Sequence, residues 1–248
     1  TAYEISLGLV GSEMCIRDSN NKETKKGLYL VSTPIGNLDD ITIRAVQVLK
    51  KVDLILCEDT RRSKKLLNHL GIKSQLRSHH KFNEHSEVEY IVKKIKEDRN
   101  VAVISDAGTP GISDPGFLIV RTCLENEIEV ECLPGPTALI PALMVSGISS
   151  DKFIFEGFLP IKKGRKTKLS ILALEKRTMI FYESPHKLLR TLLDFENSFG
   201  PKRKISVSRE LTKLYEETMR GTVEEMKEIY KSKKPKGEYV IVVEGKDK

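Results

Sequence analysis

From residue 27 to residue 146, short unbroken apolar runs alternate with stretches whose apolar residues recur at helical spacing. This alternation leaves few folds open. The runs are 27–32 (GLYLVS), 53–57 (DLILC) and 101–105 (VAVIS), and a further strand is expected over 128–133 (IEVECL). Between them, 41–51 places Ile41, Ala45, Val48 and Leu49 on one helical face, with Asp39 and Asp40 ahead of it as caps. Residues 63–70 form a second helical stretch that stops at Gly71, and 88–95, 117–125 and 138–145 repeat the pattern. Strands that are apolar throughout, rather than at every second position, are buried on both faces. With helices between them, they predict a parallel sheet covered on both sides. In such sheets the loops at the carboxyl ends of the strands form the ligand crevice.

The pattern changes after a small, polar stretch at 147–152 (GISSDK). Beyond it the spacing predicts a strand at 153–156, a Lys-rich helix over 163–175, a strand at 178–182 and a helix over 185–199. Strands at 205–208 and 215–221, a helix over 223–230 and a strand at 238–244 follow. Late strands with short connections predict a mixed, partly antiparallel sheet. The expected organisation is two α/β domains, an N-terminal one over 27–147 and a C-terminal one over 148–248. Residues 1–26 have no basic flank to an apolar segment, so they do not read as a signal peptide. They are set aside as a non-native leader or disordered tail, with a native N-terminal helix as the alternative.

Composition narrows the class of partner. The chain has 42 Lys and Arg against 35 Asp and Glu, a net charge of +7. Residues 1–159 hold 20 basic and 22 acidic side chains, whereas 160–248 hold 22 and 13, so the excess lies in the last third. A one-sided basic surface attracts a phosphate backbone, although solvated Lys-rich helix faces give the same count. The 4 cysteines, Cys15, Cys57, Cys123 and Cys132, show no metal-ligand or CxxC spacing. Three lie in or beside apolar segments, which predicts reduced core thiols and a cytoplasmic setting rather than a secreted disulfide scaffold. No apolar run reaches the roughly 20 residues that span a bilayer.

Four strand ends run into unusual loops, three of them rich in Gly and Pro: 33–38 (TPIGNL), 106–116 (DAGTPGISDPG) and 134–138 (PGPTA), with the charged 58–62 (EDTRR) the fourth. Glycine permits close backbone approach and proline fixes φ, so such loops are rigid and expose peptide groups. One would be ordinary turn chemistry, but four on one rim point to a ligand site. There is no GxxxxGK[ST], no GxGxxG, no HExxH or His/Cys cluster, and no GxSxG around Ser32, Ser105, Ser113 or Ser184. These absences disfavour a P-loop, a dinucleotide fingerprint, a metal and a nucleophile elbow. Group transfer from an already activated donor suits what remains.

The motifs TPIGNLDDITIRA, EDTRRSKKLL, SDAGTPGISDPG, PGPTA, FEGFLP, FYESPHKL and GEYVIVVEG occur in this order over residues 27–246. Together they resemble the ribosomal RNA small subunit 2′-O-methyltransferase I family, a branch of the tetrapyrrole methylase superfamily. The resemblance implies S-adenosylmethionine held between the two domains and methylation of a cytidine ribose 2′-oxygen in the decoding region of 16S rRNA. It also implies a homodimer. Carried onto this chain, Pro34 and Gly36 touch the cofactor after the first strand. Asp106, Gly108 and Thr109 line the pocket, with Asp106 near the methionine amine or ribose. Gly135, Thr137 and Ala138 hold the methionine end, while Tyr182, Glu183, Arg209 and Glu238 close over the adenine side. Ala107 replaces a superfamily proline, and Thr137 stands where serine is also familiar. Neither change removes a needed side-chain function.

A sulfonium methyl group is electrophilic as it stands, so the enzyme must align the acceptor and take a proton from a weakly acidic hydroxyl. Glu58, Asp59 and His80 are the candidate bases. Glu58 and Asp59 also fit a helix cap or a pair with Arg61 or Arg62, and His80 fits a local loop hydrogen bond. Being adjacent, Glu58 and Asp59 face different ways, and Glu58 is expected to face the cleft. Glu183 precedes Ser184–Pro185 and also fits a helix cap. Arg61, Arg62, Lys64, Lys162, Lys163, Arg165 and Lys166 are the expected phosphate contacts. Phe82 and Phe158 fit stacking on an exposed base, with core packing the favoured role for Phe158. Two other functions remain open: a small-molecule methyltransferase acting on a tetrapyrrole, and a non-enzymatic RNA-binding module.

Overall fold

The computed structural model describes residues 25–80 and 83–246. Leu28–Leu30 (β1), Leu54–Cys57 (β2), Gln75–Ser78 (β3), Val101–Val103 (β4) and Val130–Cys132 (β5) form a parallel sheet in the order β3-β2-β4-β1-β5. Four helices connect or follow its strands: Ile43–Lys51 (α1), Thr60–His69 (α2), Glu84–Lys96 (α3) and Phe117–Glu125 (α4). Alternate strand residues bury opposite ways. Leu28, Leu54, Leu56, Val101 and Val103 pack on α3 and α4, whereas Tyr29, Ile55, Cys57 and Ala102 pack on α1 and α2. That two-sided burial is why these strands are apolar throughout.

The second sheet is mixed. Phe153–Phe158 (β6) runs parallel to Thr178–Glu183 (β7), while Tyr239–Val243 (β10), Lys204–Arg209 (β8) and Glu217–Thr222 (β9) add antiparallel pairings in the order β6-β7-β10-β8-β9. One face packs Met179, Phe181 and Ile241 against Leu188–Phe199 (α7) and Val223–Ser232 (α8). The other packs Ile180, Val240 and Val242 against Leu139, Ala142 and Leu143 of Leu139–Ser146 (α5). Helix α5 precedes the polar stretch at 147–152, yet it covers the second sheet. Arg165–Leu172 (α6) is the Lys-rich helix.

Local chemistry moved several boundaries. Asp39 and Asp40 do not cap α1. They lie in a 3₁₀ turn, and Thr42 caps the helix through the Ala45 amide, 3.1 Å away. Helix α2 begins earlier than its apolar period suggests, because Asp59 caps it through the Arg61 amide at 2.8 Å. Helix α7 begins at Leu188 rather than at Pro185, which sits in a turn closed by the Lys187 amide on the Ser184 carbonyl. Strand β6 continues to Phe158 through a bulge between Phe155 and Gly157, and the φ of Gly157 is 60°. Strand β9 starts at Glu217, because Glu210 and Thr212 take positive φ in the turn before it. Cys57 and Cys123 are buried, but Cys132 is exposed on the edge strand β5 and is not a core thiol. The segment read as a leader lies outside the described residues except for Lys25 and Lys26, as do Cys15 and Phe82. No helix among the described residues is long and apolar enough to cross a membrane.

Candidate active site

Because every strand of the first sheet points the same way, the four loops emerge on one rim, and they are laced together there. Thr33 and Gly108 form an antiparallel bridge, each amide donating to the other's carbonyl at 2.9 and 3.0 Å. The Thr33 hydroxyl donates to the Ser105 carbonyl at 3.0 Å, and the Thr109 hydroxyl donates to the Pro136 carbonyl at 3.0 Å. At Gly135 an added Cβ would lie 2.6 Å from Ser32 Cβ, so the last loop closes on the first only without a side chain. At Gly36 a Cβ would lie 2.4 Å from Lys213 Cγ, and the neighbouring Asn37 amide donates to Thr212 Oγ1 at 3.1 Å. The first loop is thereby clamped to the turn after β8.

Above this rim lies a cleft of about 450 Å³, within the range of small-molecule sites. Its first-sheet wall includes Ile35, Glu58, Arg62, Asp106, Thr109 and Asp114. Asp106 accepts from the Asp59 amide at 3.2 Å and from Arg62 Nη1 at 3.2 Å, which ties the β2 and β4 loops together. Burial and the neighbouring Asp106 push the Glu58 carboxyl above its ordinary range. Asp114 is pushed further, to about 7, by burial and by Glu58 and Asp106. Three carboxyl groups therefore share one crevice, and two of them take up protons more readily than free carboxylates. A carboxyl that titrates near neutrality suits proton transfer.

The opposite wall comes from the second sheet. Strands β6 and β7 end on this side, and the antiparallel β10 begins here, with Tyr239 in register with Glu183. Phe158, Tyr182, Glu183, Ser184, Glu238 and Tyr239 line the cleft. Tyr182 engages the Thr137 side chain and the Leu139 backbone, joining this wall to the β5 loop, and burial raises its hydroxyl pKa. Its ring packs edge-on against Phe155 and Phe158, with centroids 4.9 and 5.8 Å away. Phe158 is 56% exposed, so it is not a core residue. Glu183 is 4% exposed and does not cap the following helix, whose N-cap is Lys187: it accepts from the Ser184 amide at 2.8 Å and the Thr191 hydroxyl at 2.6 Å.

Of the expected site residues, Glu58, Asp106, Gly108, Thr109, Thr137, Ala138, Tyr182, Glu183, Glu238 and Arg62 line one cleft. Others do not. Pro34 is buried behind the rim, and its neighbour Ile35 lines the cleft instead. Gly36 and Gly135 serve close loop approach. Arg209 donates from Nε to the Lys236 carbonyl at 2.8 Å and shapes the turn that presents Glu238. The Asp59 carboxylate is taken by the α2 cap and by Arg61, which lower its pKa, so it is not free to act as a base. His80 begins the turn into α3, its amide donating to Asn83 Oδ1 at 2.7 Å, and it reaches Glu58 through charge rather than by lining the cleft. Arg61, Lys64, Lys162, Lys163 and Lys166 are exposed. Arg165 is not: at 4% exposure, with its guanidinium donating to Asp194, Thr191 and the Pro160 carbonyl, it is withdrawn from any direct phosphate contact. Its place at the first turn of a helix, facing α7, decides this. Asp114, Ser113 and Ile112 were not singled out in the sequence. The available signal was an acidic residue inside the longest Gly/Pro loop.

The family model described as Tetrapyrrole (Corrin/Porphyrin) Methylases matches residues 27–227. Curated relatives bearing the name Ribosomal RNA small subunit methyltransferase I are similar over most of the chain. The Synechocystis sp. protein is 49% identical, covering 88% of this chain and 78% of its own. The Thermotoga maritima protein is 48% identical, covering 89% and 99%, and that of Escherichia coli O157:H7 is 49% identical, covering 88% and 77%. Among solved structures, the methyltransferase CobJ superposes with a TM-score of 0.67 at 18% identity, covering 89% of this chain and 95% of its own. A uroporphyrin-III-C-methyltransferase from Thermus thermophilus superposes at 0.64 with 19% identity, covering 89% and 94%. At these identities the structures speak for the fold and the curated relatives for the branch. With the fold, the rim and the relatives in agreement, the chain belongs to the tetrapyrrole methylase family and, within it, to the ribosomal RNA small subunit methyltransferase I branch.

Proposed function

We propose that this protein transfers the methyl group of S-adenosylmethionine to the 2′-oxygen of a cytidine ribose in the decoding region of 16S rRNA. One observation supports this most: a carboxylate-rich cleft opens beside an exposed aromatic ring and a run of exposed cations. Phe158 lines the cleft, and Lys162, Lys163 and Lys166 follow it within eight residues on the surface.

The donor set fits S-adenosylmethionine. Glu58, Asp106, Asp114, Glu183 and Glu238 face a cleft with Arg62 as its lining cation, so the field favours a ligand carrying sulfonium and ammonium charge. Asp106 and the backbone at Thr109 and Ala138 are the groups that would hold it, with Gly108 leaving the space beside them open, and when bound it supplies an electrophilic methyl group. The remaining work falls to the chain. Glu58 is the proposed base for the 2′-hydroxyl proton, with Asp114 beside it to share that proton. Phe158 offers a face for an unstacked base, and the exposed lysines hold the phosphates on either side. Rigid loops keep these groups at fixed separations, which is where much of the rate of such transfers arises.

We place the protein in the cytoplasm as a homodimer. Ile140 and Met144 of α5 and Leu214 and Tyr215 of the turn before β9 are exposed apolar side chains suited to a second copy. Sedimentation of the purified chain tests that. For the activity, methyl-labelled S-adenosylmethionine is offered with assembled small subunits, with naked 16S rRNA and with a tetrapyrrole. Label in a ribose 2′-oxygen is the expected result. Label in the tetrapyrrole alone would overturn the reading, and calorimetry showing no cofactor binding would leave an RNA-binding module.

A further inference from the structure

We infer that Arg165 is a positioning residue that ties the basic surface to the wall of the cleft, so that the phosphate contacts and the cofactor pocket keep one fixed separation. This rests on the reading that the exposed lysines meet RNA.

The link is continuous. Arg165 opens α6, and Lys162, Lys163 and Lys166 stand exposed around it. Its Nη1 donates to the Pro160 carbonyl at 3.1 Å, which fixes the chain carrying Lys162 and Lys163. Its Nε donates to Asp194 at 2.7 Å and its Nη2 to Thr191 Oγ1 at 2.7 Å, both on α7. The Thr191 hydroxyl in turn donates to Glu183 Oε2 at 2.6 Å, while Glu183 Oε1 accepts from the Ser184 amide at 2.8 Å. Glu183 and Ser184 line the cleft. Arg165, Thr191 and Glu183 are 4%, 0% and 4% exposed, so water does not compete for the bonds that run from Arg165 through Thr191 to Glu183, whereas Asp194 is partly exposed.

Stability alone is a poor reason for this arrangement. A buried ion pair is often no better than well-packed apolar residues, because both charges must be desolvated. A cation at the first turn of a helix also opposes the helix dipole. What the fork provides that a methionine or leucine does not is three directed donors, two of them meeting one helix, that join separate segments. Those segments are the lysine-bearing loop, α7 and, through Thr191, the cleft wall.

The experiment compares the parent with Arg165→Met, Arg165→Lys and Thr191→Val in the full chain. The measurements are melting, S-adenosylmethionine affinity, hydrogen exchange of the segment at 183–187, and kcat and KM for small subunits. A positioning role predicts at least tenfold faster exchange at Ser184 in Arg165→Met and Thr191→Val. It also predicts a kcat lowered at least tenfold, an RNA KM changed by less than threefold, and only partial rescue by Arg165→Lys. In the double variant Arg165→Met/Thr191→Val the losses should not add, since both break one link. Unchanged exchange at Ser184 in a folded variant would overturn the inference whether or not the parent methylates RNA, and so would additive losses. Should Arg165→Met fail to fold, Thr191→Val, which leaves the Asp194 and Pro160 bonds in place, decides the matter. A parent that methylates no RNA while its Ser184 exchange responds as expected would count against the RNA reading rather than against the link.

Discussion

The two sheets have the same number of strands and divide the chemistry unequally. The first is wholly parallel, so all its carboxyl-end loops fall on one rim, and that rim carries Glu58, Asp106 and Asp114. The second mixes directions, which scatters its loops to both ends. Only the ends of β6 and β7 and the start of β10 meet the cleft. What the second sheet contributes instead is a wall and a basic flank. The comparison teaches that strand direction, set by the connections between strands, decides how many loops converge on one ligand. Under the proposed function the parallel sheet holds the reacting groups, and the mixed sheet holds the substrate against them.

The sharpest way to break that division is Glu58→Gln. If the parallel rim performs proton removal, turnover should fall by about 10²–10⁴-fold while cofactor affinity stays within a few-fold, read by single-turnover rates and calorimetry. A fall of similar size in His80→Gln, with Glu58→Gln near the parent rate, would move the base off the cleft lining. Next in size is Asp106→Ala. It removes an acceptor that joins the β2 and β4 loops and faces the cleft, so S-adenosylmethionine should bind weaker by about 1.5–3 kcal/mol, measured by calorimetry.

The mixed sheet is tested by Lys162→Ala/Lys163→Ala/Lys166→Ala. RNA affinity should drop and the slope of log affinity against log salt should flatten by about 0.7 for each lost phosphate contact. Cofactor affinity should not move, and if it does, the two sheets do not divide the work. The smallest expected effect is on stability. Asp114 titrates at about 7 in the folded chain against an ordinary 3.8. Between those values the folded protein holds a proton that the unfolded chain releases, so this group makes stability fall as pH rises through that window. Asp114→Asn should therefore melt a few degrees higher than the parent at pH 8, with the gap closing toward pH 4.

How much of this was legible in the sequence depends on the range of the interaction. Asp106, Thr109, Thr137 and Ala138 were expected at the cleft from the family resemblance, and they line it because loops at the ends of parallel strands share one rim. Arg165 was misread because a run of cations at 162–168 looks uniform until one of them meets α7, some 26 to 29 residues further on. Phe158 was misread in the opposite sense: a bulge between Phe155 and Gly157 carries it past the end of the core to the cleft mouth. Asp114 went unnoticed because its unusual proton affinity arises from burial in the cleft and from Glu58 on another loop, with Asp106 of its own loop beside it.

The sequence by itself determined the two α/β units in outline, the parallel first sheet, the rim of four loops and the branch of the family. Each of these follows from periodicity or from contiguous motifs, which local chemistry fixes within a few residues. Only the tertiary structure decided which carboxylate faces the cleft and which caps a helix, that α5 covers the second sheet, and that one arginine of the basic run is buried. Those outcomes depend on what lies across the cleft or on the next helix, and desolvation and hydrogen-bond partners are set there by groups far away in the chain.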